Sequence, residues 1–279
     1  MNELELLVGK LADASNKEIK LDIISEIGEI SDRSKIAASI LLNFLKKDED
    51  NEVKSYAANA LSKIGGRFVT NQLIRFLKND SWITRMKAAE TLGARRSTKA
   101  ISSLIYLLKN DPVPSVREWA AISLGKIGKK RATKALTTCL LSDPKWEIRM
   151  ESAYALGIIN DKKSKKQLMQ AFQTDDDYQV RWAAASSLGK IDEEIAQTGL
   201  QELSEKLLKI IKTEKDENVL GAAARTLGDI GNEIAAKTLY KTMKVSKEMV
   251  RLEINLALDR MAKRFNYENK EEFVKKIHL

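Results

Sequence analysis

Val116-Arg117-Glu118-Trp119-Ala120-Ala121-Ile122-Ser123-Leu124-Gly125-Lys126-Ile127-Gly128 recurs, with variation, along almost the whole chain. Val180-Arg181-Trp182-Ala183-Ala184-Ala185-Ser186-Ser187-Leu188-Gly189-Lys190-Ile191 repeats its order of branched residue, arginine, alanine pair and Leu-Gly. With the Leu of Leu-Gly as a ruler, the marks fall at Ile27, Leu61, Leu92, Leu124, Leu156, Leu188, Leu227 and Leu258. They lie 31 to 34 residues apart except for one step of 39, which describes eight units of about 32 residues with one insertion.

Within a unit, apolar residues recur at helical spacing in two segments, as in Ile101, Leu104, Ile105, Leu107 and Leu108, then Val116, Ala120, Ala121, Leu124 and Ile127. Each unit is therefore expected to be a helical hairpin, its first helix here called A and its second B. Asp111-Pro112 stops helix A and supplies a capping side chain, and Gly125 to Gly128 closes helix B. A single hairpin cannot bury its apolar face, so the units must stack. Ala57-Ala58, Ala88-Ala89, Ala120-Ala121, Ala184-Ala185 and Ala223-Ala224 allow close approach, with Ser152-Ala153 a polar variant. The chain is expected to be one domain over 1–279, with a capping unit at 1–30, central repeats over 31–245, an insertion near 192–212 and a C-terminal unit with a basic tail at 246–279. In that tail Phe265, Phe273 and Ile277 could close the last hairpin.

A unit reading Asp, then Val-Arg, then Ala-Ala, then Leu-Gly-x-Ile-Gly resembles the HEAT repeats, in the short form of phycobilisome-lyase-like proteins. The resemblance implies an all-α fold, a right-handed α-α superhelix of about eight hairpins. It also implies a ladder of polar contacts between successive repeats, made by the turn Asp and the Arg six residues later: Asp111 with Arg117, Asp143 with Arg149, Asp175 with Arg181. Asp48 with Lys54 is a conservative version, whereas Asn79 with Arg85, Glu214 with Leu220 and Val245 with Arg251 depart from the pattern.

The net charge of +9 and pI near 9.3 favour an acidic partner, although solubility alone also explains them. The single Cys139 excludes an internal disulfide and points to a reducing compartment. An acidic N-terminal stretch and the lack of any long apolar run lead to the expectation of a cytoplasmic protein without membrane contact.

Two surfaces are candidates for partner binding. If helix B lines the concave side, its uncommitted positions form a groove that includes Tyr56, Lys87, Glu118, Trp119, Ile122, Lys126, Tyr154, Trp182 and Lys190. Aromatics among lysines suit a partner helix or stacked bases, and equally suit gap-filling between helices. The turns from helix B to the next helix A form the second surface, a basic edge of Arg95, Arg96, Lys129, Lys130, Arg131, Lys162, Lys163, Lys165 and Lys166, with Lys99 and Lys134 beside them. The opposite turns are acidic.

The only histidine, His278, lies in the tail, no metal constellation or phosphate loop is present, and Cys139 has no histidine to activate it. No metal and no cofactor are expected, and carboxylates Glu90, Glu118 and Glu151 are the sole acid–base candidates on the groove. The leading reading is a non-catalytic scaffold holding a protein partner. Nucleic-acid binding, with phosphates on the basic edge and bases on groove aromatics, is the alternative. A chromophore-lyase or chaperone-like accessory role follows from the resemblance alone.

Overall fold

The computed structural model describes residues 3–12, 16–30, 35–192 and 198–277. Among these residues there are seventeen α-helices, three short 3-10 turns and no strand. The chain divides into two compact units, Met1–Ala132 and Thr133–Leu279. The first holds the hairpins α1 (Glu3–Ala12) with α2 (Lys17–Glu29), α3 (Lys35–Lys47) with α4 (Asn51–Ile64), α5 (Gly66–Phe76) with α6 (Trp82–Ala94), and α7 (Ile101–Asn110) with α8 (Pro114–Ile127). The second holds α9 (Thr133–Ser142) with α10 (Trp146–Ile159), α11 (Lys165–Thr174) with α12 (Tyr178–Asp192), α13 (Thr198–Thr213) with α14 (Glu217–Ile230), α15 (Glu233–Met243) with α16 (Glu248–Arg264), and then α17 (Lys270–Ile277). Eight hairpins and a terminal helix result. Part of the expected insertion, residues 193–197, and His278 lie outside the described residues.

Within each unit the B helices form their own layer, α2, α4, α6 and α8 in the first and α10, α12, α14 and α16 in the second. The ruler leucines and the alanine pairs are its buried core. The glycine of Leu-Gly sits inside the last turn of helix B rather than ending it, and its function is proximity. A Cβ built on Gly93 would meet Ser123 Cα at 2.7 Å, and one on Gly228 would meet Ala257 Cα at 2.8 Å. At the same contact the Ser123 hydroxyl of the following B helix donates to the carbonyl of Ala89 in the preceding alanine pair at 2.8 Å, and the Thr226 hydroxyl is shared between Ala185 of the preceding helix and Ala222 of its own, each at 3.0 Å. Each carbonyl keeps a second lone pair for this bond, so the helices lock without losing their own ladders.

The A-to-B turns share another device. Asp48, Asn79, Asp111, Asp143 and Asp175 each accept, through Oδ1, the amide two residues on. Asp111 therefore closes the turn before α8 instead of capping the helix, whose own N-cap, Val113, has no side-chain bond. In α4, α6 and α14 the caps are Asp50, Ser81 and Asp216, two residues beyond the turn acceptor.

Helix B ends in a left-handed residue at three successive repeats: Arg96 (φ 48°), Gly128 (φ 69°) and Asn160 (φ 51°). Glycine and asparagine are the ordinary occupants of this conformation, and an arginine pays about 1 kcal/mol for its Cβ. Arg96→Gly is expected to raise the unfolding free energy by about 0.5–1 kcal/mol in a urea titration. In the tail, Phe273 and Ile277 are buried on the final hairpin and Phe265 stacks on Phe273 with centroids 5.5 Å apart.

Candidate partner-binding face and charged turns

The B-helix positions that face away from helix A are best compared by their distance from the buried Val or Ile that precedes the arginine. In the first unit Tyr56 is exposed, and Trp119 and Ile122 are half-buried. Lys126 lies over the Trp119 ring, 5.6 Å from its centroid. Lys87 bonds Glu90 at 2.9 Å along its own helix, so that pair is largely self-satisfied. Glu118 is half-buried beside Trp119.

In the second unit Tyr154 and Trp182 meet edge to face with centroids 5.7 Å apart, and the Arg225 guanidinium covers the Trp182 ring at 5.6 Å. Arg225 also bonds Glu253 at 2.8 Å. Burial pushes the Tyr154 phenol up to about 12, with Glu151 adding to the rise and Arg225 opposing it. Beyond this cluster, Leu252 and Leu256 on α16 are 60% and 47% exposed at the positions equivalent to Trp182 and Tyr154. A cavity of about 700 Å³ adjoins Leu256, lined also by Arg225, Glu253 and Asp259 among others. Lys190 is exposed on α12.

The polar ladder differs in its pairing from the one expected. Arg117, Arg149 and Arg181 do meet Asp111, Asp143 and Asp175 of their own repeats, but through the backbone carbonyl oxygens, at 2.9–3.0 Å. The carboxylate partner comes from the following repeat: Arg85 binds Asp111 with two bonds of 2.7 and 2.9 Å, Arg149 binds Asp175 with two of 2.8 Å, and Arg181 approaches Glu214 at 3.5 Å. Asn79 thus costs Arg85 nothing, and Glu214 has its base. Lys20, at the corresponding position of α2, joins Asp48 at 2.5 Å. Lys54 does not pair with Asp48; the turn ahead of it offers only Asn79, and the buried amine donates to Thr84 Oγ1 at 3.2 Å.

On the basic edge Arg95 requires a correction. It is half-buried and donates to the carbonyls of Leu61 and Gly66 and to Thr70 Oγ1, closing the end of the preceding B helix, and burial holds its guanidinium below the usual value. Arg96, Lys99, Lys129, Lys130 and Arg131 are exposed in the first unit, and Lys134, Lys162, Lys163 and Lys166 in the second, where Lys165 is half-buried.

Four overlapping windows, residues 38–125, 70–157, 101–189 and 139–206, match the model of HEAT repeats and together take in more than half of the chain. The chain belongs to the HEAT-repeat family. No curated protein matches its sequence. Among solved structures the HEAT chain is similar to the YIBA_ECOLI protein, at 19% identity and a TM-score of 0.62, over 94% of this chain and 93% of that one. It is also similar to a chain of the Kap95:Nup1 complex, at 15% identity and 0.71, over 100% of this chain and 44% of that one. The CpcE–CpcF complex of phycocyanin lyase from Nostoc sp. PCC7120 shares 20% identity over 94% of this chain and 95% of that one, with a TM-score of only 0.46.

In this HEAT chain the ladder, the alanine pairs and Leu-Gly are accounted for by stacking, which leaves the B-face aromatics and the basic turns. Sequence reading of the B face missed Arg225, Glu253, Leu252 and Leu256. Their signal was the register itself, continued two repeats past Trp182. It also missed a cavity of about 850 Å³ in the first unit, between the α5–α6 turn and α7, lined by Tyr106, Ser102, Arg85 and Asp111 among others. Among the described residues no group of three or more His, Cys, Asp or Glu could hold a metal ion, and no helix is long and apolar enough to cross a membrane.

Proposed function

We propose that this HEAT protein is a non-catalytic scaffold whose B-helix face holds a protein partner. The observation that carries the reading is the composition of that face in the second unit. Tyr154 and Trp182 lie half-exposed and edge to face, with Arg225 over the Trp182 ring, and Leu252 and Leu256 stand in water at equivalent positions. Aromatics, arginine and exposed leucines together are the make-up of an interface centre, and leaving such leucines solvated has no benefit to the isolated chain. The first unit offers Tyr56, Trp119 and Ile122 in the same manner. A HEAT-fold neighbour, Kap95, is known in a complex with Nup1, which accords with the reading. Arg225 covers one face of Trp182 and Tyr154 abuts the ring, so less of it is open to a stacked base, and this favours protein over nucleic acid.

Leu252→Ser with Leu256→Ser tests it. Both side chains are exposed, so the unfolding free energy should stay within about 0.5 kcal/mol of the wild type. Recovery of nuclease-resistant protein partners from the native cell extract should fall about tenfold or more, as for loss of an interface centre. Unchanged recovery would refute the assignment of this face.

A further inference from the structure

The opposite edges of the first unit are not electrically equivalent. On the A-to-B side four carboxylates are paired within the unit, Asp48 with Lys20, Asp50 and Glu52 with Lys17, and Asp111 with Arg85, while Glu49 and Asp80 are exposed. On the B-to-A side Arg96, Lys99, Lys129 and Lys130 are exposed and, among the described residues, have no acidic partner. No Asp or Glu occurs between Glu90 and Asp111, nor between Glu118 and Asp143, so these turns have no local counter-charge. The two turns also form one patch. Arg131 donates to Ser102 Oγ at 2.9 Å, which draws the Lys129–Arg131 turn onto the first turn of α7, one residue past the 3-10 turn that carries Lys99. Arg96 adds a further sign, since it holds its charge in a left-handed conformation that glycine and asparagine fill at the same place in the next two repeats.

We infer that this edge binds an acidic polypeptide segment. A cluster of like charges kept at a conformational cost, with no internal counter-ion, is a surface adapted to an external anion. A second copy of the chain fits less well, because it carries the same net charge of +9. A nucleic acid fits less well, because the turns 95–99 and 128–134 contain no aromatic residue on which a base could stack, and the five cations make a small phosphate footprint. The choice of polypeptide rests on the protein-partner reading above; the demand for an anion does not.

The test is fluorescence anisotropy with a labelled synthetic peptide of alternating glutamate and serine, beside single- and double-stranded oligonucleotides of equal charge. The full chain is expected to bind the peptide at low salt, more tightly than either oligonucleotide, with affinity falling as salt rises. Reversing Lys129→Glu, Lys130→Glu and Arg131→Glu should weaken it by about tenfold or more, and the milder Lys129→Gln with Lys130→Gln by less. Leu252→Ser with Leu256→Ser should leave peptide binding intact, so failure of the edge and failure of the B face are read separately. Peptide affinity unchanged in the reversal variant, no binding at low salt, or tighter binding of either oligonucleotide would overturn the inference.

Discussion

Gly93→Ala is expected to destabilise the HEAT stack by about 1–3 kcal/mol, although alanine is the better helix former. Two effects of opposite sign compete. Replacing a glycine inside a helix gains up to about 1 kcal/mol in backbone entropy and propensity. Against it, the new Cβ would lie 2.5 Å from Ser123 Oγ and 2.7 Å from Ser123 Cα. The obstacle is backbone, so a rotamer change cannot relieve it, and helices α6 and α8 must separate. Overpacking of this kind costs about 1–3 kcal/mol or more, and separation also stretches the Ser123 to Ala89 bond. Gly9, in helix α1, is the control: nothing lies within 4 Å of its Cβ position, and Gly9→Ala should stabilise by about 0.5–1 kcal/mol. Urea unfolding of both variants reads the two signs, and a neutral Gly93→Ala would mean the B layer is looser than described.

Asp111→Ala carries the second large effect, a loss of about 2–4 kcal/mol. Asp111 is 6% exposed and accepts three bonds, two from Arg85 and one from the Val113 amide. Truncation leaves a mostly buried guanidinium without its carboxylate and opens the turn, which is the costly way to disturb a buried pair. Asp111→Asn keeps a turn acceptor and removes only the charge, so its cost should be smaller, about 1–2 kcal/mol. The junction of Lys54 with Asn79 shows the same arrangement without a carboxylate: the lysine abandons the ladder for the Thr84 hydroxyl. Equal costs for the alanine and asparagine variants would argue against the ladder as the source of the energy.

The hairpins were legible because a 32-residue recurrence of Leu-Gly can be satisfied only by stacked identical units, and each ruler residue with a described side chain is in the core. The pairing of the ladder was not legible. An arginine six residues after one aspartate is also 26 residues before the next, and sequence spacing does not say which of the two meets its guanidinium and which offers a carbonyl. Arg95 read as an edge cation because its position follows a helix end; that the preceding repeat presents three acceptors to it is a fact of the stacking. Leu252 and Leu256 were overlooked where the alanine pair gives way to Ile254-Asn255, since the register continues although its marker has changed. At that last repeat Asn255 and Asp259 stand where most of the earlier repeats have alanine and glycine.

The scaffold reading is most directly tested by site-specific photo-cross-linking in the native cell, with a benzophenone amino acid placed in turn at Tyr56, Leu252 and Leu256 on the B helices and at Tyr106 and Leu141 on the A helices. All five side chains are exposed, so chemistry and access are matched. Protein adducts resistant to nuclease should form at the B-helix positions and be absent or far weaker at Tyr106 and Leu141. Equal or stronger adducts from the A-helix positions, or adducts that nuclease abolishes, would contradict a protein-binding B face.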